Sequence, residues 1–148
     1  RHSIPAMGGT IYYYKKKLKE EFLDKTPTEL IELRKNNVEI TREVYDPLVS
    51  FMGDCQGESL LDNHRVFQSK VLITECTFLT PEDESMSVKK GHSHIKDIAR
   101  ALNEVGDGVK CEKIILSHFS MKYSDRTIRD MVNKFIPEKF KERVVVMI

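Results

Sequence analysis

The chain has 148 residues, of which 40% are hydrophobic and 32% charged, and its formal net charge is +1. That is about one domain's worth of chain, long enough for a real core and ordinary in composition. The near-neutral balance excludes a global basic field as the mark of a nucleic-acid partner, and no apolar run is long enough for a membrane span or a secretory core. Three cysteines, Cys55, Cys76 and Cys111, form no close pair. An odd, scattered set argues against a disulfide framework and points to buried thiols in a reducing, intracellular setting; cytoplasm, nucleus and organelle are not distinguished. The chain starts at Arg1 rather than Met, so a piece of a longer protein is expected.

In chain order, His2-Ser3-Ile4-Pro5-Ala6-Met7-Gly8 reads as a loop, because proline and glycine forbid a helix there. Thr10–Tyr14 is β-branched and aromatic and reads as a strand. Lys15 to Lys19 follows, either a phosphate-contacting basic patch or the solvated face of a short helix. Thr26-Pro27-Thr28-Glu29 is a capping box that predicts a helix ending at Asn36-Asn37. Val38–Thr41 and Leu48–Met52 read as strands, and Gly57 to Asn63 as a loop. Val71–Ile73 is a buried strand running into Thr74-Glu75-Cys76-Thr77. Pro81–Lys90 is polar and without period and reads as an exposed, mobile loop. Gly91-His92-Ser93-His94 opens a helix carrying Ile95, Ile98, Ala99 and Leu102. Lys113–Ser117 is a strand ending at His118; Ser124 caps a further helix that Pro137 stops, and Arg143–Ile148 is a last strand. Strands and helices alternate in the second half, so one α/β domain over residues 1–148 is expected.

Several of these ends carry chemistry. His2, Asp54, Glu75 and His118 lie at strand or loop ends, and His92 and His94 at a helix start. Imidazole and carboxylate together suit a borderline metal such as zinc, and a bridging carboxylate suits a two-metal hydrolytic site. Singly, each has a bland reading: Gly53-Asp54 as a turn, His92 as a cap, His118 as a half-buried hydrogen-bonder.

Together and in this order, the pieces resemble the ribonuclease Z branch of the metallo-β-lactamase superfamily. That family shows His-x-x-Pro-x-x-Gly, here His2 to Gly8; Phe-x-Gly-Asp-Thr, here Phe51-Met52-Gly53-Asp54-Cys55; and Glu-x-Thr-Phe, here Glu75-Cys76-Thr77-Phe78. It also shows Gly-His-x-His, here Gly91 to His94, and Leu-x-His-Phe-Ser-x-Arg-Tyr, here Leu116 to Tyr123 with Lys122 in place of Arg. The resemblance implies the C-terminal half of an αββα sandwich and zinc as cofactor, two ions in the complete site. It implies His2, Asp54 and His118 as metal ligands, His92 as proton donor with Glu75 holding its ring, and Ser120, Lys122, Tyr123, Thr77 and His94 as substrate contacts. The implied activity is endonucleolytic removal of the 3′ trailer of precursor tRNA. The implied partners are precursor tRNA and the N-terminal half of the same protein, with a homodimer as a further assembly and no membrane.

Two departures follow. The family's His-x-His-x-Asp-His motif is absent from these residues, so this stretch alone is expected to bind metal poorly and not to act as a nuclease. Lys122 keeps the charge of Arg without its bidentate fork toward phosphate. Two other readings stand beside this one: a hydrolase of the same fold with another phosphodiester substrate, and a non-catalytic binding module.

Overall fold

Four apolar runs pair side by side in the order in which they occur along the chain, and that order governs where everything else lies. The computed structural model describes residues 6–148; the expectations for His2 and Pro5 fall outside them. The strands are β1 (Gly9–Leu18), β2 (Thr41–Phe51), β3 (Val71–Glu75), β4 (Lys113–Ser117) and β5 (Val144–Val146), in the order β1-β2-β3-β4-β5. From β2 to β5 every pairing is parallel. Right-handed crossovers between sequential parallel neighbours put all their helices on one face of the sheet. Those helices are α2 (Glu58–Asp62), α3 (Glu84–Lys90), α4 (Ile95–Val105) and α5 (Asp125–Phe135); α1 (Pro27–Lys35) precedes β2. The α/β class read from the sequence is the class observed. By compactness the chain, which reads as one domain, divides into Tyr12–Asp46 and the remainder.

In the larger unit the register sorts residues into two faces. Ser50, Leu72, Ile114 and Val144 stand in one row and Thr74, Leu116 and Val146 in another. These rows join the core with Phe67, Ile95, Ile98, Leu102, Ile128 and Phe140. Each fully buried Leu, Ile or Phe contributes about 1.5–3 kcal/mol of transfer free energy. The alternate row, Phe51, Ile73, Ile115 and Val145, points the other way; Phe51 and Val145 are 49% and 40% exposed. Ser124 starts α5 by accepting from the Thr127 amide at 3.2 Å, as its sequence position predicts.

The smaller unit contains α1, which begins at the Thr26 capping box with Glu29 as expected. Tyr14 and Tyr45 both donate to the Glu43 carboxylate, and Tyr12 and Tyr13 are 50% and 55% exposed.

Four segments differ from the sequence reading. Pro81–Lys90 is ordered as a 3-10 turn followed by α3, closed by Gly91 at φ +77°. Ser87 is the one buried residue of α3, so no apolar stripe existed to be read. Lys15 to Lys17 continue β1 rather than starting a helix, because a sheet-edge strand accepts lysines on exposed positions. The two short strands expected in Val38–Met52 are one strand of 11 residues. Gly57 to Asn63 contains α2, which buries Leu60. Among the described residues no helix is long and apolar enough to cross a membrane.

Candidate functional site

Loops beyond the carboxyl ends of parallel strands are where an open α/β sheet holds its ligands. Here β3 ends at Glu75 and β4 at Ser117, in register with each other, and the loops that follow carry Thr77 and His118. Asp54 follows the end of β2. Gly53 precedes it because the Met7 carbonyl oxygen lies 2.5 Å from where a Cβ would stand. His92 and Ser93 arrive alongside the Thr77 loop: Phe78 donates its amide to the Ser93 carbonyl at 3.2 Å, and Ile95 donates to the Phe78 carbonyl at 2.9 Å.

Glu75, 2% exposed, binds these segments together. Its Oε1 accepts from the amides of Cys55 at 3.1 Å and Ser93 at 3.0 Å and lies 3.0 Å from His92 Nδ1. Its Oε2 accepts from the Thr77 amide at 3.0 Å and the Thr77 hydroxyl at 2.6 Å. An ionised carboxylate only accepts, so His92 carries its proton on Nδ1 and turns Nε2 the other way. The Thr77 hydroxyl also lies 3.0 Å from His118 Nδ1 and 3.3 Å from His92 Nδ1. His118 sits at φ +59°, an uncommon conformation for a non-glycine residue. The two imidazoles stack with centroids 5.4 Å apart.

Asp54, His92 and His118 each bring one ligand atom within 4.8 Å of the others. Asp54 Oδ1 is 3.7 Å from His118 Nδ1. Two imidazole nitrogens and a carboxylate oxygen form a donor set suited to zinc. The expected gathering of Asp54, His92 and His118 in one place is therefore present; His2 lies outside the described residues. His92, expected beside the metal rather than on it, stands within the same cluster. Cys55, Cys76 and Cys111 are free thiols. Burial pushes all three up from the ordinary thiol range, so none is a thiolate nucleophile at neutral pH.

The substrate-contact candidates divide. His94 is 2% exposed: its Nδ1 accepts from the Lys96 amide at 3.2 Å and its Nε2 donates to the Thr80 carbonyl at 2.9 Å, making it the N-cap of α4. The signal for this was present as His94-x-x-Asp97, the spacing of a capping box. Thr77 is buried with its hydroxyl engaged inside the cluster. Ser120 lies on the rim, its amide donating to the Thr77 carbonyl. Lys122 and Tyr123 both donate to Asp83, and Tyr123 Oη accepts from the Leu79 amide at 3.1 Å. Burial would raise the Asp83 carboxyl, but hydrogen bonds from Lys122, Tyr123 and Thr80 outweigh it and hold it at about 2. Asp83 was not legible as a site residue, since Lys122 is 39 positions away in sequence.

No protein-family profile matches the chain. It is 35% identical over 150 residues to the chloroplastic tRNase Z TRZ2 of Arabidopsis thaliana, covering 97% of this chain and 40% of that protein. It is 34% identical over 142 residues to tRNase Z TRZ1 of the same organism, covering 92% of this chain and 48% of that protein. The chain thus spans less than half the length of these curated relatives. Among solved structures it is similar to the metallo-β-lactamase fold protein YhfI of Bacillus subtilis, with TM-score 0.48, 17% identity and coverage of 73% of this chain and 42% of that one.

Proposed function

The chain is related over nearly all its length to tRNase Z proteins, and from that premise we propose that it forms the C-terminal part of a zinc-dependent endonuclease cutting the 3′ trailer from precursor tRNA. The observation that carries the reading is the gathering of Asp54, His92 and His118 over the buried Glu75. Asp54 and His118 would hold the metal, with His2 and donors from outside this chain completing the set. Zinc there would supply Lewis acidity and an activated water.

The chain's own residues supply the rest. Glu75 fixes the His92 ring through its contact with Nδ1, and a ring so oriented is suited to hand a proton to the departing 3′ oxygen. Ser120 and Lys122 would contact the phosphate chain; the Lys122 ammonium is held toward Asp83 and half-exposed. The exposed Tyr12 and Tyr13 followed by Lys15 to Lys17 offer RNA both ring faces and cations. The apolar row Phe51, Ile73, Ile115 and Val145 would seat the upstream half of the protein. With a partial donor set, this stretch alone is expected to be inactive. Its free thiols suit a reducing compartment.

The test is trailer cleavage and metal analysis on the full-length protein. The reading expects cleavage that chelation abolishes and added zinc restores. Cleavage indifferent to chelation would defeat the metal assignment. Turnover of small phosphodiesters with none of precursor tRNA would favour a different hydrolase of this fold.

A further inference from the structure

We infer that Thr77 is a positioning residue: its hydroxyl links the Glu75 carboxylate to His118 and sets which nitrogen of that ring carries the proton. The geometry leaves few alternatives. The hydroxyl has one hydrogen and three oxygen or nitrogen neighbours besides His92. Glu75 Oε2 is the nearest at 2.6 Å, and it is ionised and accepts only. The His118 carbonyl at 3.1 Å is longer and uncharged, so the hydrogen goes to Glu75. Oγ1 is then left with lone pairs toward His118 Nδ1 at 3.0 Å. A contact of that length between a lone pair and a ring nitrogen needs a proton on the nitrogen. Asp54 Oδ1, at 3.7 Å from the same nitrogen, is too far to take it. His118 therefore donates from Nδ1 to Thr77, Thr77 donates to Glu75, and the ring's lone pair is left on Nε2, the nitrogen then available to a metal. His92 reaches Glu75 directly at 3.0 Å and only more loosely reaches Thr77, at 3.3 Å. Thr77 thus governs His118 and not His92.

That asymmetry is the test. Histidine-selective nitrogen–proton correlation spectra of the metal-free full-length protein read each ring's tautomer. Both rings are expected as Nδ1–H in the parent. Thr77→Val, which keeps the shape and removes the hydroxyl, should move His118 away from Nδ1–H while leaving His92 as it was; Thr77→Ser should restore the parent spectrum. Zn(II) affinity, an arm that rests on the metal reading above, should fall about 10–100-fold in Thr77→Val and recover in Thr77→Ser, the usual effect of losing a group that orients a ligand. An unchanged His118 tautomer in Thr77→Val would overturn the inference. So would an equal change in both rings, or a Ser variant that behaves as Val does. If Thr77→Val does not fold, Thr77→Ala removes the same hydroxyl with less bulk and is read the same way. A parent that binds no Zn(II) yet shows the tautomer change would defeat the metal reading and uphold the role of Thr77.

Discussion

Glu75 and Asp83 are both buried carboxylates, 2% and 8% exposed, and each gathers hydrogen bonds from segments far apart in sequence. Their partners differ in kind. Glu75 receives three backbone amides, one hydroxyl and the His92 ring. Those partners are neutral or titratable, and no cation of Lys or Arg among them cancels its charge, which faces the His92 imidazole. Asp83 receives the Lys122 ammonium, the Tyr123 phenol and the Thr80 hydroxyl. Its charge is cancelled within its own cluster. The first carboxylate orients the His92 ring. The second ties the turn before α3 to the loop after His118, and so fixes where the rings stand. Burial and hydrogen-bond count alone would not separate them; the charge left over does.

Substitutions should divide along the same line. The largest effect is expected outside both networks, at Asp54: Asp54→Ala removes a donor and the compensating charge, so zinc content and trailer cleavage should be lost together in the full-length protein. Retention of full zinc would show that Asp54 is not a ligand. His92→Ala should keep the metal and cost about 10²–10⁴-fold in turnover, the worth of a positioned general acid. That cost should shrink on a nitrophenyl phosphodiester, whose leaving oxygen needs no proton. Loss of zinc, or equal loss on both substrates, would make His92 a ligand or a structural residue, a live contest given its place within the cluster. Glu75→Gln keeps shape but weakens the hold on the ring; about 10–100-fold in turnover is expected with folding retained.

Much of this was legible in the sequence, and the limits are physical. The strand cores Leu72, Ile114 and Leu116 lie in apolar runs, and a parallel sheet buried on a helix-covered face demands such runs. The Thr26 and Ser124 caps are local, within three residues, and were readable for that reason. Asp54, His92 and His118 were readable only as motifs in order; nothing local says that their ligand atoms meet within 4.8 Å. The α3 helix was not readable because it buries Ser87 rather than an apolar stripe. The partners of Thr77 and Asp83 were not readable because they lie 39 to 41 positions away.

The smallest effect is expected at Asp83, and it should be one of stability. Asp83→Asn removes the charge from a cluster whose cation, Lys122, is half-exposed, so the loss is about 1–3 kcal/mol, toward the low end because water screens the ammonium. Zinc content should be unchanged, and turnover should follow the folded fraction. The pH dependence identifies the cause. The Asp83 carboxyl is held at about 2 in the folded chain, against roughly 3.9 for an unfolded aspartate. A carboxyl depressed on folding stabilises fully above the unfolded value, and that contribution is lost as pH falls through the folded one. The gap in denaturant midpoint between parent and Asp83→Asn should therefore be constant from neutral pH down to about 5 and narrow between about 4 and 2. At the other end Lys122, raised chiefly by its hydrogen bond to Asp83, keeps its part of the bond through the neutral range and loses it only in strong alkali. A gap that stays open at pH 2 would mean that packing, not charge, accounts for Asp83. A fall in turnover larger than the fall in folded fraction would mean that Asp83 shares the work of Glu75, and the distinction between the two carboxylates would not hold.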